Sequence, residues 1–207
     1  MARLSSSKKW LKAHKNDLFV KQSKLEGYKS RAVYKLKEID EKAKLIKPGM
    51  TILELGAAPG GWTQYITEKL NGEGQVIAVD CLKMDSFPLV TFIQGDFTDP
   101  DVQTNIEKSL AGKKCDLLLS DMAPNLSGVK MMDSLKSIAL AEAVLEIGLS
   151  YLKQNANLFM KIFHGTGFDE FVLAMRKEFK TVSIRKPKAS KTQSRETYLL
   201  ALERIIY

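Results

Sequence analysis

From Thr51 onward the chain alternates short runs of apolar, often β-branched residues with stretches in which apolar residues recur every three or four positions. The runs predict strands at Thr51–Leu55, Val76–Asp80, Val90–Ile93, Asp116–Ser120 and Leu158–Phe163. The three-and-four spacing predicts helices at Trp62–Leu70, Asp101–Leu110, Ser134–Leu152 and Asp169–Phe179. In the helix from Ser134 the stripe is Leu135, Ile138, Ala139, Val144, Leu145, Gly148, Leu149 and Leu152. The repeating strand–helix order predicts an α/β fold, a mostly parallel sheet with helices on both faces. After Phe179 the rule changes. Val182–Ile184 and Thr197–Leu202 are joined by residues 186–196, too few for a helix and its turns, so they are expected to pair antiparallel as a hairpin. The first 30 residues show no apolar period and read as a basic arm, leaving residues 31–207 as a single domain.

With 207 residues, 44% hydrophobic and 27% charged, the chain can bury roughly 70% of its unfolded surface in one core. This excludes a disordered tail and a mini-domain that needs covalent staples. Cys81 and Cys115 have no CxxC spacing, and His14 and His164 are the only histidines, so neither a disulfide framework nor a zinc site is expected. The longest apolar stretches run to six to eight residues, against the roughly 20 of a membrane helix. With no signal-peptide core at the start, the expectation is a cytoplasmic protein with no membrane contact and no metal.

Charge is distributed unevenly. Residues 1–47 hold 14 basic and 5 acidic side chains, residues 48–175 hold 9 and 16, and residues 176–195 hold 8 and 1. The net +8 is therefore two basic ends around an acidic middle. Such ends favour a polyanion, nucleic acid first. Lys8, Lys9, Lys12, Lys15, Lys21, Lys24 and Arg31 at one end, and Arg185, Lys186, Lys188, Lys191 and Arg195 at the other, are the candidate phosphate contacts.

Candidate chemistry starts at Ile52 to Trp62, a strand, a glycine turn and a helix start. Glycines there let the backbone turn sharply and approach a ligand. A dinucleotide turn would be GxGxxG, but Ala58 and Pro59 stand where that pattern breaks, which disfavours a pyrophosphate. Asp80, 20 residues past Gly60 and at the end of the second strand, is placed to accept hydrogen bonds from a ribose diol. Asp96 and Asp121 also follow strand ends, the side on which open α/β sheets bind ligands. Asp96 could equally form a turn, and Asp99, before Pro100, could cap a helix. Asp121 directly follows the apolar Leu117-Leu118-Leu119 and reads as a functional carboxylate.

Taken together, Ser30 to Leu36 (SRAVYKL), Gly56 to Trp62 (GAAPGGW), Ser120 to Pro124 (SDMAP), Met160 to Phe163 (MKIF) and Ser194 to Glu196 (SRE) resemble the FtsJ/RrmJ ribose 2′-O-methyltransferases over roughly residues 20–205. The resemblance implies a Rossmann-like class I methyltransferase fold with a seven-stranded sheet and a reversed C-terminal hairpin, which agrees with the hairpin read independently. It implies S-adenosylmethionine as methyl donor, and a Lys-Asp-Lys-Glu tetrad that falls here on Lys35, Asp121, Lys161 and Glu196. It places Gly60, Trp62, Asp80, Asp96 and Asp121 at the cofactor, with Asp80 on its ribose and Asp96 near its adenine. It further implies a monomer acting on a uridine of large-subunit ribosomal RNA within the ribosomal particle. The alternatives are transfer RNA, mitochondrial ribosomal RNA, or a non-catalytic RNA-binding assembly factor on the same fold; the filled tetrad disfavours the last.

Methyl transfer to a ribose hydroxyl is an in-line displacement, so alignment supplies much of the rate. Lys161 then either deprotonates the hydroxyl or, remaining charged, orients it and stabilises the developing oxyanion. A nucleophilic mechanism is disfavoured, because Ser120 lies in no GxSxG elbow. Cys81 and Cys115 read as small buried or half-buried residues, both histidines as bystanders, and Met131-Met132 as a loop or helix start.

Overall fold

Alternate residues of the strands fill two separate cores, and this partition builds the molecule. In the computed structural model, which describes residues 17–206, strand β1 is Thr51–Leu55, β2 Gln75–Asp80, β3 Val90–Gln94, β4 Cys115–Ser120, β5 Leu152–Phe163, β6 Phe179–Arg185 and β7 Glu196–Arg204. Leu53, Ile77, Val79, Leu118, Leu158, Met160, Ile162 and Leu199 point to one face; Ile52, Val76, Ala78, Leu117, Leu119, Phe159, Tyr198 and Leu200 point to the other. A period of two with apolar residues at both phases is what a sheet covered on both sides requires.

Helices α4 (Pro100–Leu110), α5 (Lys130–Tyr151) and α6 (Phe168–Glu178) cover the first face, and α2 (Val33–Ala43) and α3 (Gly61–Leu70) the second. Asp99 caps α4 by accepting from the Asp101 N–H, with Pro100 in the first turn. The expected strands and helices are all present, with ends shifted by a few residues except in β5, which starts six residues earlier than expected. Leu135, placed on the apolar stripe of α5 from its spacing, is instead 50% exposed.

Two helices precede the sheet, the first within the 30 residues that show no apolar period and the second, Val33–Ala43, in a stretch for which no element was predicted. Helix α1, Leu18–Leu25, is capped by Asp17, whose side chain accepts from the N–H groups of Phe19 and Val20. It buries Val20, and Phe19 packs on Tyr34 of α2. The basic arm is thus helical and packed from Leu18; its lysines at 8, 9, 12 and 15, and His14, lie outside the described residues.

The sheet order is β3-β2-β1-β4-β5-β7-β6. β1 to β5 pair in parallel, β7 runs antiparallel to β5, and β6 antiparallel to β7. The reversal is therefore confined to β7, which lies between β5 and β6. No helix among the described residues is long and apolar enough to cross a membrane.

Candidate active site

After β3 the chain returns across the sheet to lay β4 beside β1, and the strand order reverses there. Ligands of open α/β sheets sit at the carboxyl ends of strands at such a switch point. The residues that leave β1 and β4 at that edge are Gly56 and Asp121. Gly56 has φ +78°, and a Cβ on it would lie 2.4 Å from Met122 Cγ. Its missing side chain lets the two loops meet. Gly60, at φ +101°, serves the same end, because Phe87 and Met84 pack where its Cβ would stand. At both glycines the chain's own loops occupy the space a Cβ would take, and Gly56 also borders the cavity described next.

Between these loops lies a cavity of about 460 Å³ lined by Gly56, Ala58, Asp80, Asp96, Asp121 and Met122, among others. Asp80 accepts from the Ala58 N–H at 2.9 Å and the Leu82 N–H at 2.8 Å. The turn and the second strand are thereby tied together by a carboxylate that keeps lone pairs for a ligand. Asp96 Oδ1 accepts from Thr98 N–H and hydroxyl, so the residue forms a turn and still presents Oδ2 to the cavity. Three carboxylates around one cleft suit a ligand that carries positive charge and hydroxyls. Among the described residues no group of three His, Cys, Asp or Glu could hold a metal ion.

The four residues of the expected tetrad come together from α2, the end of β4, β5 and the start of β7. Lys161 Nζ donates to both the backbone carbonyl and Oδ1 of Asp121, the latter at 3.1 Å. Lys35 Nζ lies 2.8 Å from Glu196 Oε1 and 3.9 Å from Asp121 Oδ1. Ser190 Oγ donates to the same Glu196 oxygen at 2.8 Å. Lys35, Asp121 and Glu196 have side chains only 11%, 17% and 14% exposed. Charges so far out of water interact strongly and hold one another in a fixed geometry.

A second cavity, of about 300 Å³, is lined by Arg31, Ala32, Lys35, Ala189, Lys191, Ser194 and Glu196. Asp121 thus lines the acidic cavity and Lys35 and Glu196 line the basic one, so the cluster touches both; Lys161, held by Asp121, lines neither.

Two participants escape a reading of the sequence. Tyr198 pairs directly with Lys161 across β5 and β7, and its hydroxyl donates to Asp121 Oδ1 at 2.5 Å. Burial, then the nearby Asp121 and Glu196, push its phenol well above the usual range, so it stays a neutral donor. A signal exists: Glu196 and Tyr198 are two apart on one strand and face the same way. Glu54 is the other. It is an acid inside the apolar β1, 1% exposed, and accepts from Thr63 Oγ1 at 2.7 Å. Burial pushes its carboxyl up to about 8.

Two expected cofactor residues, Trp62 and Gly60, are not among those lining the acidic cavity. Trp62 is buried, stacks on Phe159 at 5.6 Å, and donates its indole N–H to Ala32 O at 2.7 Å. It anchors the start of the helix that carries Lys35, and lines only a small gap shared with Glu54 and Asp121. Gly60 does not border the acidic cavity either; the packing of Phe87 and Met84 occupies its open side. A motif fixes the position of both residues in the chain but not the direction they face. Cys81 is exposed beside Asp80, contrary to expectation, whereas Cys115 is buried, which pushes its thiol up to about 12. His164 packs on Phe168 at 4.0 Å.

The family model described as FtsJ-like methyltransferase matches residues 28–204. The chain is 52% identical over 201 residues to a "Ribosomal RNA large subunit methyltransferase E" of Legionella pneumophila strain Corby, covering 97% of this chain and 98% of that one. It is 51% identical over 204 residues to the protein of the same name from Methylobacillus flagellatus, covering 99% of each. Among solved structures it is similar to a ribosomal RNA methyltransferase from Plasmodium falciparum, with TM-score 0.80 and 30% identity over 87% of this chain and all of that one. The likeness to human methyltransferase-like protein 13 in complex with SAH, with TM-score 0.55 and 13% identity over 75% of this chain and 72% of that one, concerns the fold alone. By family match, near-full-length identity and fold, this chain belongs to the FtsJ-like methyltransferases.

Proposed function

We propose that the protein transfers a methyl group from S-adenosylmethionine to the 2′-hydroxyl of a uridine in large-subunit ribosomal RNA, acting as a monomer on the ribosomal particle. The observation that carries this reading is one charge cluster whose members line two cavities, Asp121 an acidic one and Lys35 and Glu196 a basic one. The acidic side suits the donor: Asp80 and Asp96 present free lone pairs to it, and Asp121 offers negative charge to a sulfonium. When bound, the donor supplies an electrophilic methyl carbon. The basic side suits a nucleotide, with Arg31, Lys35 and Lys191 on its walls.

Lys161 is assigned the orienting role because both of its hydrogen bonds are donated to Asp121, which leaves one N–H for the ribose oxygen. That donor offsets negative charge as the new C–O bond forms. Asp121 Oδ2, to which no described residue donates, is the acceptor for the hydroxyl proton. Lys35 and Glu196 hold each other and fix the ribose from the far side. Large-subunit ribosomal RNA is favoured over transfer RNA by the names of the relatives at about half identity over nearly the full chain.

The test is transfer of labelled methyl from S-adenosylmethionine to large subunits, naked ribosomal RNA or transfer RNA, followed by mapping of the modified nucleotide. Incorporation at one uridine ribose of the large subunit is expected. Incorporation only into transfer RNA, or into a base, would overturn the reading. Lys161→Ala should lower kcat by about 10²–10⁴, whereas Lys161→Arg, which keeps the charge but cannot accept a proton, should retain part of it.

A further inference from the structure

Five of the eleven exposed large hydrophobic residues among the described residues fall within ten positions: Leu126, Val129, Met131, Met132 and Leu135. Each is at least half exposed. Apolar side chains scattered singly over a surface need no explanation, but a contiguous group marks an interaction site. Met131 and Met132 stand one helical turn before Leu135 on α5, and Leu126 and Val129 come from the loop that leads into it.

The loop is firmly built. Buried Asp133 accepts from the Ser127 N–H at 2.6 Å, the Ser127 hydroxyl at 2.8 Å and the Gly128 N–H at 3.1 Å. These bonds, led by that of the Ser127 amide, hold its carboxyl below the ordinary range. Folding the loop back onto the helix start turns the apolar side chains outward on a fixed support.

The lip adjoins the active site. Met122 to Asn125, immediately before it, line the acidic cavity, and Lys136 Nζ donates to Asn125 O at 3.3 Å. On its other side Phe163 N–H, two residues past Lys161, donates to Ser137 Oγ at 3.0 Å. Arg195, next to Glu196, reaches Ser134 Oγ at 3.4 Å. Its charge is of one sign: Lys130, Lys136 and Arg195 are exposed, and between Met122 and Ala141 the sole acid is the buried Asp133.

We propose that this lip is a stacking surface for unpaired RNA bases next to the methylated nucleotide, with Lys130, Lys136 and Arg195 on the intervening phosphates. The inference rests on the ribosomal RNA reading above and adds where the flanking nucleotides lie. A base splayed out of a helix exposes two flat apolar faces, and its neighbours lose their stacking partner. Aliphatic and thioether side chains restore that contact without base selectivity, and methionine adapts its shape and favours aromatic partners. A partner protein would also cover apolar side chains. The one-signed cationic rim runs to Arg195, whose chain neighbours Ser194 and Glu196 line the basic cavity, and matches a phosphate backbone instead.

The experiment uses the full chain and large subunits from cells lacking this methylation. A photo-crosslinking amino acid at position 131 is expected to join the RNA within a few nucleotides of the modified uridine. Met131→Ser with Met132→Ser is expected to raise KM for the subunit about tenfold or more, while kcat at saturating subunit and the Kd for S-adenosylmethionine stay unchanged. Leu173→Ser, an exposed apolar residue on α6, should alter neither. Crosslinks to a ribosomal protein or to a second copy, or an unchanged KM, would overturn the proposal even with normal methylation by the wild type. Absence of methylation by the wild type would remove the ribosomal RNA reading, and the lip's assignment with it. Melting temperatures of the variants, expected within a few degrees of the wild type, separate lost binding from lost folding.

Discussion

At Tyr198 a single oxygen separates a structural ring from a functional group. Its ring stacks on Phe159 at 4.9 Å, and its hydroxyl donates to the carboxylate that also holds Lys161. Tyr198→Phe keeps the ring and is expected to cost about 1–3 kcal/mol of stability, as for a buried hydrogen bond to a charged group, with a loss of kcat and little change in cofactor affinity; melts and steady-state kinetics check both. Glu54 gives a pH signature. Its carboxyl keeps its proton up to about 8 in the fold, against an ordinary value of 4.5. Between those limits unfolding releases a proton, so its contribution to stability is fully present below the lower limit and is lost as pH rises through the window towards about 8. Glu54→Gln removes this slope. The variant's melting temperature should gain on the wild type progressively from pH 5 to pH 8, and a constant difference would show that Glu54 is ionised throughout. The tetrad residues were legible from their motifs. Glu54 was visible as an acid within an apolar strand but carried no motif; the spacing of Tyr198 from Glu196 hints at a shared face, and the register that sets it opposite Lys161 completes the assignment.

The elements were legible wherever their burial was periodic. Strands buried on both faces and helices with one apolar stripe declare themselves in sequence. Helix α1 did not, since it buries only Val20 and Ser23; α2 does bury Val33, Leu36 and Ile39 at three-residue steps, but interleaves them with buried Lys35 and Asp40, whose partners lie far along the chain. Asp40, for example, accepts from Tyr65 OH and from Ile46 N–H, both at 2.9 Å. The glycine turn shows the limit of motif reading: it located a site-forming loop, yet the directions of Trp62 and Gly60 depend on packing between elements. Trp62→Phe tests this. Losing the indole N–H frees Ala32 O and loosens the start of α2, so kcat is expected to fall together with about 1–3 kcal/mol of stability, while the Kd for S-adenosylmethionine is retained. A change confined to that Kd would return Trp62 to the cofactor cavity.

Among the described residues, parts of the two basic ends of the sequence meet. Arg31 donates to Ala189 O and pairs with Asp17, and the Lys188 N–H donates to Glu38 Oε2 at 2.7 Å, so the hairpin loop rests against the N-terminal helices. Sequence showed that both ends were cationic; only the fold shows them side by side at the mouth of the basic cavity. Affinity for the large subunit should therefore fall steeply with salt. Replacing Lys186, Lys188 and Lys191 by Gln should flatten the log–log slope by about 0.7 for each phosphate no longer neutralised, and an unchanged slope would place the RNA elsewhere. The position of β7 has a further consequence. Made last, it must enter between β5 and β6, and it brings Glu196 and Tyr198 with it. Until β7 is in place the sheet is split between β5 and β6, and the cluster around Asp121 and Lys161 lacks Glu196 and Tyr198. The gap in the sheet and the gap in the cluster are therefore closed by one and the same strand.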